Sequence, residues 1–167
     1  MKKITLIGIL ALAALFGITG CTVSNYESSG AAKNTPPPEE PILTEITITT
    51  GETVLDGVLF DNYTARCFAD MLPMTRELWN PADGYAKAFD LPSEISDSDE
   101  RTRNYELGSL AYWFEGPSIA IIHNDNRSQT VVPVVQIGKI TSDVSIFFEY
   151  GNNNETVTIE KKESETS

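Results

Sequence analysis

One histidine and one acidic stretch stand out as residues that could carry chemistry. His123 is the single histidine of the chain, so a Ser-His-Asp arrangement has one candidate base. It follows Ile119 and Ile121 at strand spacing, which is typical of a structural histidine or of one that lines a groove. The stretch Ser96-Asp97-Ser98-Asp99-Glu100 offers oxygen ligands for Ca²⁺. It lacks the glycine and the final glutamate of an EF-hand loop, so a solvated acidic loop is favoured.

Aromatic residues at strand spacing mark a second candidate site. Tyr112 shares one strand face with Leu110, whereas Trp113 points to the other face. In a closed barrel one face is core and the other is surface, so exposed aromatics would form a groove for a peptide or a small ligand. Burial beneath a helix is the alternative. Arg76 is the arginine that lies in a strand-like stretch beside an aromatic residue, Trp79. The candidate groove residues are Arg76, Trp79, Tyr112, Trp113 and His123.

Cofactor and metal signatures are absent from the sequence itself. The two cysteines and one histidine have no zinc-like spacing, and no glycine-rich phosphate cradle is present. We therefore predict no metal, no cofactor and no identifiable catalytic residue. A net charge of −12 excludes non-specific nucleic-acid binding as a default, because phosphate backbones need a basic footprint.

The amino terminus is typical of an export signal. Lys2 and Lys3 precede the apolar run Ile4–Ile18, which is shorter than the roughly 20 residues that span a bilayer. Ile18-Thr19-Gly20-Cys21 resembles the bacterial lipobox, which implies cleavage before Cys21 and lipidation of its thiol. We predict a signal peptide over 1–20 and a protein anchored to the bacterial cell membrane, or to the outer membrane where the host has two. An ordinary signal or an uncleaved anchor with an incidental cysteine is the alternative.

Composition divides the rest of the chain into a tether, one domain and a tail. Residues 21–43 contain the lipidated cysteine and a segment rich in proline and serine, with too little apolar material to fold. Residues 44–161 are apolar enough for one core, and 162–167 form a polar tail. Once Cys21 is acylated, Cys67 has no disulfide partner within the chain. Its apolar helical surroundings predict a buried small hydrophobic side chain.

Hydrophobic periodicity predicts a mainly β domain. A helix capped by Asn62 or Thr64 runs to about Leu72, and a second short helix covers Ser142–Phe148. Eight short strands are expected at Thr44–Thr49, Thr53–Phe60, Met74–Trp79, Tyr85–Phe89, Leu110–Phe114, Ile119–His123, Val131–Ile140 and Glu155–Glu160. Closure hides the edges of so many short strands, so a small closed β-barrel of about eight strands with one or two helices is predicted. A two-sheet sandwich is the alternative.

Three stretches resemble the bacterial and archaeal cyclophilin-like domain family. They are DNYTARCFADMLPMT, GSLAYWFEG and PVVQIGKI, which look like the family's capped helix ending in Leu-Pro, its Tyr-Trp strand and turn, and its late Pro-Val strand. The resemblance covers about Thr44–Glu160 and implies a small barrel related to the peptidyl-prolyl isomerases. Ser109 replaces the acidic residue usual in the Tyr-Trp motif. The phenylalanine-histidine-arginine strand and the glutamine-glycine-glycine segment of true isomerases do not occur here.

Three functions follow as expectations. The first is a lipoprotein whose cyclophilin-like domain binds a peptide or small ligand without catalysis. The second is an envelope peptidyl-prolyl isomerase, in which Arg76 would stabilise the twisted amide. The third is a structural or adhesive envelope protein. The expected partners are the membrane, through the lipid, and a peptide or small ligand, with no nucleic acid.

Overall fold

The computed structural model describes residues 40–81, 84–96, 98–151, 153 and 155–163. Cys21, the predicted signal peptide, nearly all of the predicted tether and most of the predicted tail lie outside these residues. No helix within the described ranges is long and apolar enough to cross a membrane.

Eight strands form one antiparallel sheet that nearly closes into a barrel. The strands are β1 (Ile42–Thr50), β2 (Thr53–Phe60), β3 (Met74–Glu77), β4 (Ala86–Asp90), β5 (Ser109–Trp113), β6 (Ser118–Ile122), β7 (Val135–Ile140) and β8 (Thr156–Lys161). Their spatial order is β3-β8-β1-β2-β7-β5-β6-β4. A bridge between Trp79 and Ala88 brings together the two ends of this order. The predicted barrel is confirmed, and the sandwich alternative is wrong.

Strict alternation of polar and apolar residues builds the first hairpin. Ile46 and Ile48 are fully buried, whereas the threonines between and beside them remain partly exposed. Ile48 is opposite Leu55 in the register of β1 and β2, so both strands present the same face to the core. Gly51 has φ = 55° and supplies the left-handed residue that this tight turn requires.

Helix α1 (Tyr63–Ala69) closes one side of the barrel and ends earlier than the predicted Leu72. The Asn62 side chain accepts a hydrogen bond from the Ala65 N–H at 2.8 Å, which caps the helix. Phe68 is completely buried and lies 6.4 Å from the Phe89 ring, centroid to centroid. The prediction that Cys67 is buried is wrong: the residue is half-buried, and the buried face of α1 is formed by Thr64, Ala65, Phe68 and Ala69. A second short helix, α2, covers Ser145–Glu149.

The two faces of β5 pack into two separate apolar clusters. Leu110 and Tyr112 join the interior core, which draws on all eight strands and both helices. Ala111 joins a smaller cluster outside the barrel, and Trp113 packs against that cluster. The predicted separation of Tyr112 from Trp113 is therefore confirmed, and it places the Trp113 indole on the outer side of the sheet.

Candidate functional site

Both tryptophans of the chain line one cleft on the outside of the barrel. The cleft has a volume of about 400 Å³. Trp79 reaches it from the segment after β3, and Trp113 reaches it from the end of β5. The remaining lining residues come from the end of β4, the segment after it and the β5–β6 turn: Asp90, Leu91, Pro92, Ser93, Gly116 and Pro117. Aromatic, aliphatic and proline side chains beside one carboxylate are typical of a ligand cleft.

Strand pairing explains why these residues meet. Ser118 at the start of β6 is opposite Asp90 of β4 on one side and opposite Trp113 of β5 on the other. Neighbouring strands lie about 4.8 Å apart, so Asp90 and Trp113 are held about 10 Å apart across β6. Trp79 is bridged to Ala88, two residues before Asp90. The barrel framework therefore positions the tryptophans and the carboxylate.

The Asp90 carboxylate is held by the indole of Trp79. Trp79 Nε1 donates a hydrogen bond to Asp90 Oδ1 at 2.9 Å. Asp90 is exposed, and none of the ion pairs between residues described by the structure includes it. One carboxylate oxygen is thus committed to the indole, and the negative charge faces the cleft and the solvent.

Gly116 fits closely against the ring of Trp113. A Cβ atom added at Gly116 would lie 2.4 Å from Cζ3 of that ring, well inside van der Waals contact. A side chain at position 116 would therefore require the β5–β6 turn or the indole to shift. This contact fixes the ring in the wall of the cleft.

The other three predicted groove residues lie elsewhere. Tyr112 is 1% exposed in the interior core, where its hydroxyl bonds both backbone groups of Ile95 at 3.2 Å. Arg76 lies on β3 and donates from Nη1 to the Thr75 carbonyl at 3.3 Å. His123 follows β6 and is half-buried. The structure thus brings together Trp79 and Trp113 and leaves Arg76, Tyr112 and His123 outside their cleft.

Comparison with known proteins identifies the family. The sequence model of the Cyclophilin-like family matches residues 48–160, which is more than half of the chain. The chain belongs to the cyclophilin-like family. No curated protein matches it.

Two solved structures resemble the cyclophilin-like domain. A hypothetical protein from Archaeoglobus fulgidus is 20% identical with a TM-score of 0.59, over 75% of this chain and 99% of that one. McbB, solved in complex with tryptophan, is 8% identical with a TM-score of 0.55, over 73% of this chain and 46% of that one. At these identities the likeness shows the fold alone.

Sequence reasoning missed a buried lysine inside the cyclophilin-like barrel. Lys87 is 1% exposed. Its Nζ donates to Asn80 Oδ1 at 2.7 Å and to the carbonyls of Gly151 and Asn153 at 2.6 and 3.1 Å. These three acceptors match the three donors of an ammonium group. The available signal was a single lysine in the otherwise apolar strand segment Tyr85-Ala86-Lys87-Ala88-Phe89.

The surroundings of Lys87 also act on His123. Burial lowers the pKa of Lys87, against the opposing effect of the Glu155 carboxylate. Burial lowers the pKa of His123 as well, and the positive charge of Lys87 lowers it further. His123 Nδ1 is buried without a hydrogen-bond partner among the described residues. Burial and the nearby Lys87 charge therefore favour a neutral imidazole at His123.

Asp99 of the acidic stretch accepts hydrogen bonds from the first turn of helix α1. Burial acts to raise the pKa of the Asp99 carboxyl, but hydrogen bonds from Thr64 and Tyr63 and the charge of Arg66 outweigh it and lower the pKa. The Thr64 N–H and hydroxyl lie 2.6 and 2.7 Å from Asp99 Oδ2. Asp97 lies outside the described residues. Within them, no group of three or more possible metal-ligating side chains is assembled.

Proposed function

We propose that this cyclophilin-like domain is a ligand-binding module of a lipid-anchored envelope protein, and that the Trp79–Trp113 cleft is its binding site. The observation that carries the proposal is the convergence of both tryptophans and one exposed carboxylate on a single outer cleft. A peptide or small organic ligand with an apolar part suits such a lining.

The construction of the cleft supports binding without catalysis. Trp79 is fixed by its backbone bridge and its indole hydrogen bond, and Trp113 is fixed by Gly116. Fixed aromatic rings lose little conformational entropy when a ligand binds. The isomerase alternative needs an arginine positioned in an apolar pocket. Trp79 and Asp90 have no arginine beside them in the cleft lining, and Arg76 is held elsewhere on β3.

The sequence supports the anchor. Lys2 and Lys3, the apolar run and the lipobox-like Ile18-Thr19-Gly20-Cys21 together favour export and lipidation. Two or three acyl chains hold a protein at a membrane far more stably than one. The proline- and serine-rich segment before β1 would hold the domain away from the membrane surface, with the cleft accessible to ligands.

Intrinsic fluorescence tests the cleft, since the chain has two tryptophans and both line it. A ligand that enters should quench or shift their emission. Trp79→Phe and Trp113→Phe should each weaken binding, and each leaves one reporter. Tyr63→Phe, an exposed aromatic on α1, is the matched control and should bind normally. Peptide and small-molecule collections that leave the emission of the folded protein unchanged would contradict the proposal.

Metabolic labelling with an alkyne palmitate tests the anchor. The wild-type protein should incorporate the label and partition into detergent, whereas Cys21→Ser should do neither. Cys67→Ser is the matched control, because it removes the other cysteine of the chain and should keep the label. Equal labelling of the wild type and the Cys21→Ser variant would refute lipidation at this residue.

A further inference from the structure

We infer that the Trp79–Trp113 cleft binds a peptide segment through an arginine or lysine side chain, with Asp90 as its counter-ion. The inference rests on the proposed function and adds the chemistry of the ligand. Within the described part of the chain, the Asp90 carboxylate has an indole donor and no cationic partner. Two tryptophans lie beside it in the same cleft.

This combination is complementary to a cation with an apolar stem. A guanidinium or ammonium group is attracted to the face of a tryptophan more strongly than to other aromatic faces. The methylene groups of arginine and lysine pack on apolar surface while the charged end reaches a carboxylate. Pro92 and Pro117 supply that apolar surface next to Asp90.

The neighbouring turn already holds a cation in this way. The Arg101 guanidinium carbon lies 5.2 Å from the centroid of the Phe114 ring. Arg101 Nη1 lies 3.4 Å from Glu115 Oε1. The two residues that follow Trp113, Phe114 and Glu115, thus hold an arginine between an aromatic face and a carboxylate. The cleft offers the same two groups to an incoming side chain.

Charge and shape favour a basic peptide as the occupant. The chain has a net charge of −12, which draws cationic ligands in and repels acidic ones. The cleft is formed by three surface segments of the barrel rather than enclosed by it. Small-molecule pockets bury most of their ligand, whereas an open cleft of about 400 Å³ leaves room for an extended segment to pass across it.

Isothermal titration and tryptophan fluorescence of the full-length folded protein test the inference. The probes are acetylated, amidated pentapeptides that differ at the central residue: arginine, lysine, citrulline or glutamate. Citrulline has the shape of arginine without its charge. We expect the arginine peptide to bind about fivefold more tightly than the citrulline peptide, and the glutamate peptide to bind least. Higher salt should reduce the difference.

Asp90→Asn isolates the counter-ion, because asparagine retains an oxygen that accepts from the Trp79 indole. We expect it to reduce the preference for arginine over citrulline to the part that the tryptophan faces supply, and to change the citrulline affinity less than the arginine affinity. Glu52→Gln, at the β1–β2 turn, removes the same charge from a turn that contributes nothing to the cleft lining, and it should keep the preference.

The outcomes separate the two levels of the argument. Equal affinities for the arginine and citrulline peptides, both with tryptophan quenching, would overturn the cationic inference and support the binding module. Choline serves as an additional probe, a cation that is not a peptide. Quenching by choline with none by the basic peptides would overturn the peptide as occupant. No quenching by any of these probes would overturn the inference, and failure of wider ligand collections would then overturn the proposed function as well.

Discussion

Lys87 inside the barrel and Asp90 in the outer cleft are three residues apart on the same strand, yet they are satisfied differently. Lys87 is 1% exposed, and each of its three donors has an oxygen acceptor. Asp90 is exposed, and among the described residues it has one donor, the Trp79 indole, for a group that accepts several hydrogen bonds. Strand alternation sends one side chain into the core and the other to the surface.

The difference separates a structural charge from a candidate binding charge. A buried charge is tolerated only when its hydrogen-bonding capacity is met within the protein. Lys87 meets this condition by tying β4 to Asn80 and to the backbone before β8. The exposed Asp90 carboxylate does not need all of its hydrogen bonds to come from the protein, because water or a ligand can satisfy its remaining acceptor sites.

Lys87→Met should produce the largest effect, a loss of stability with no change in the affinity of the cleft. It removes the ammonium and leaves the oxygens of Asn80, Gly151 and Asn153 without their donor. We expect a loss of about 2 kcal/mol in the free energy of unfolding, measured by urea denaturation. Lys161→Met, at an exposed lysine of β8, should change it by less than about 0.5 kcal/mol. Equal stability of the Lys87→Met variant and the wild type would show that the hydrogen bonds of Lys87 contribute no net stability.

Gly116→Ala should produce the opposite pattern, a loss of affinity with a smaller loss of stability. The new methyl group would lie 2.4 Å from Trp113 Cζ3, so the indole must move within the cleft. We expect about tenfold weaker binding of a cleft ligand, measured by titration calorimetry. Gly84→Ala is the control: its Cβ would meet no atom within 4 Å, but its φ of 62° strains an alanine. It should cost about 1 kcal/mol of stability and leave affinity unchanged.

The fold could be predicted from the sequence because its signals are local and repeated. The alternation of Ile46 and Ile48 and the spacing of Phe68 and Ala69 on α1 each place residues toward one core. The opposite orientations of Tyr112 and Trp113 followed from the same period of two. Strand ends shifted by a few residues, since turns decide them.

The candidate site could be predicted only in part because it depends on pairing between distant strands. Trp79 and Trp113 are brought together by β4 and β6, and no local pattern states that these strands are neighbours. Arg76 was paired with Trp79 on sequence proximity, but side chains three residues apart in an extended segment point to opposite faces. Lys87 was missed because a lysine in a strand is usually exposed, and only the three-dimensional structure supplies its acceptors.

Acid titration should have the smallest of these effects. It acts on His123 beside Lys87 and leaves the Asp90 cleft unchanged, so it tests the difference between the two regions. Burial and the Lys87 charge hold the pKa of His123 below its ordinary value of 6.5. As pH falls through 6.5, the unfolded chain binds a proton before the folded one. The free energy of unfolding therefore decreases with acidification between 6.5 and the lower folded pKa, and this contribution is fully present above 6.5.

Because His123 is the single histidine of the chain, its imidazole signals in NMR spectra can be assigned directly and should titrate below pH 6.5. His123→Gln should remove the slope of stability against pH in this window. Lys87→Met should raise the pKa of His123, since it removes the neighbouring positive charge. An unchanged pKa in that variant would mean that burial alone lowers the pKa of His123. Lys87 and His123 would then lack the electrostatic coupling that distinguishes their surroundings from the Asp90 cleft.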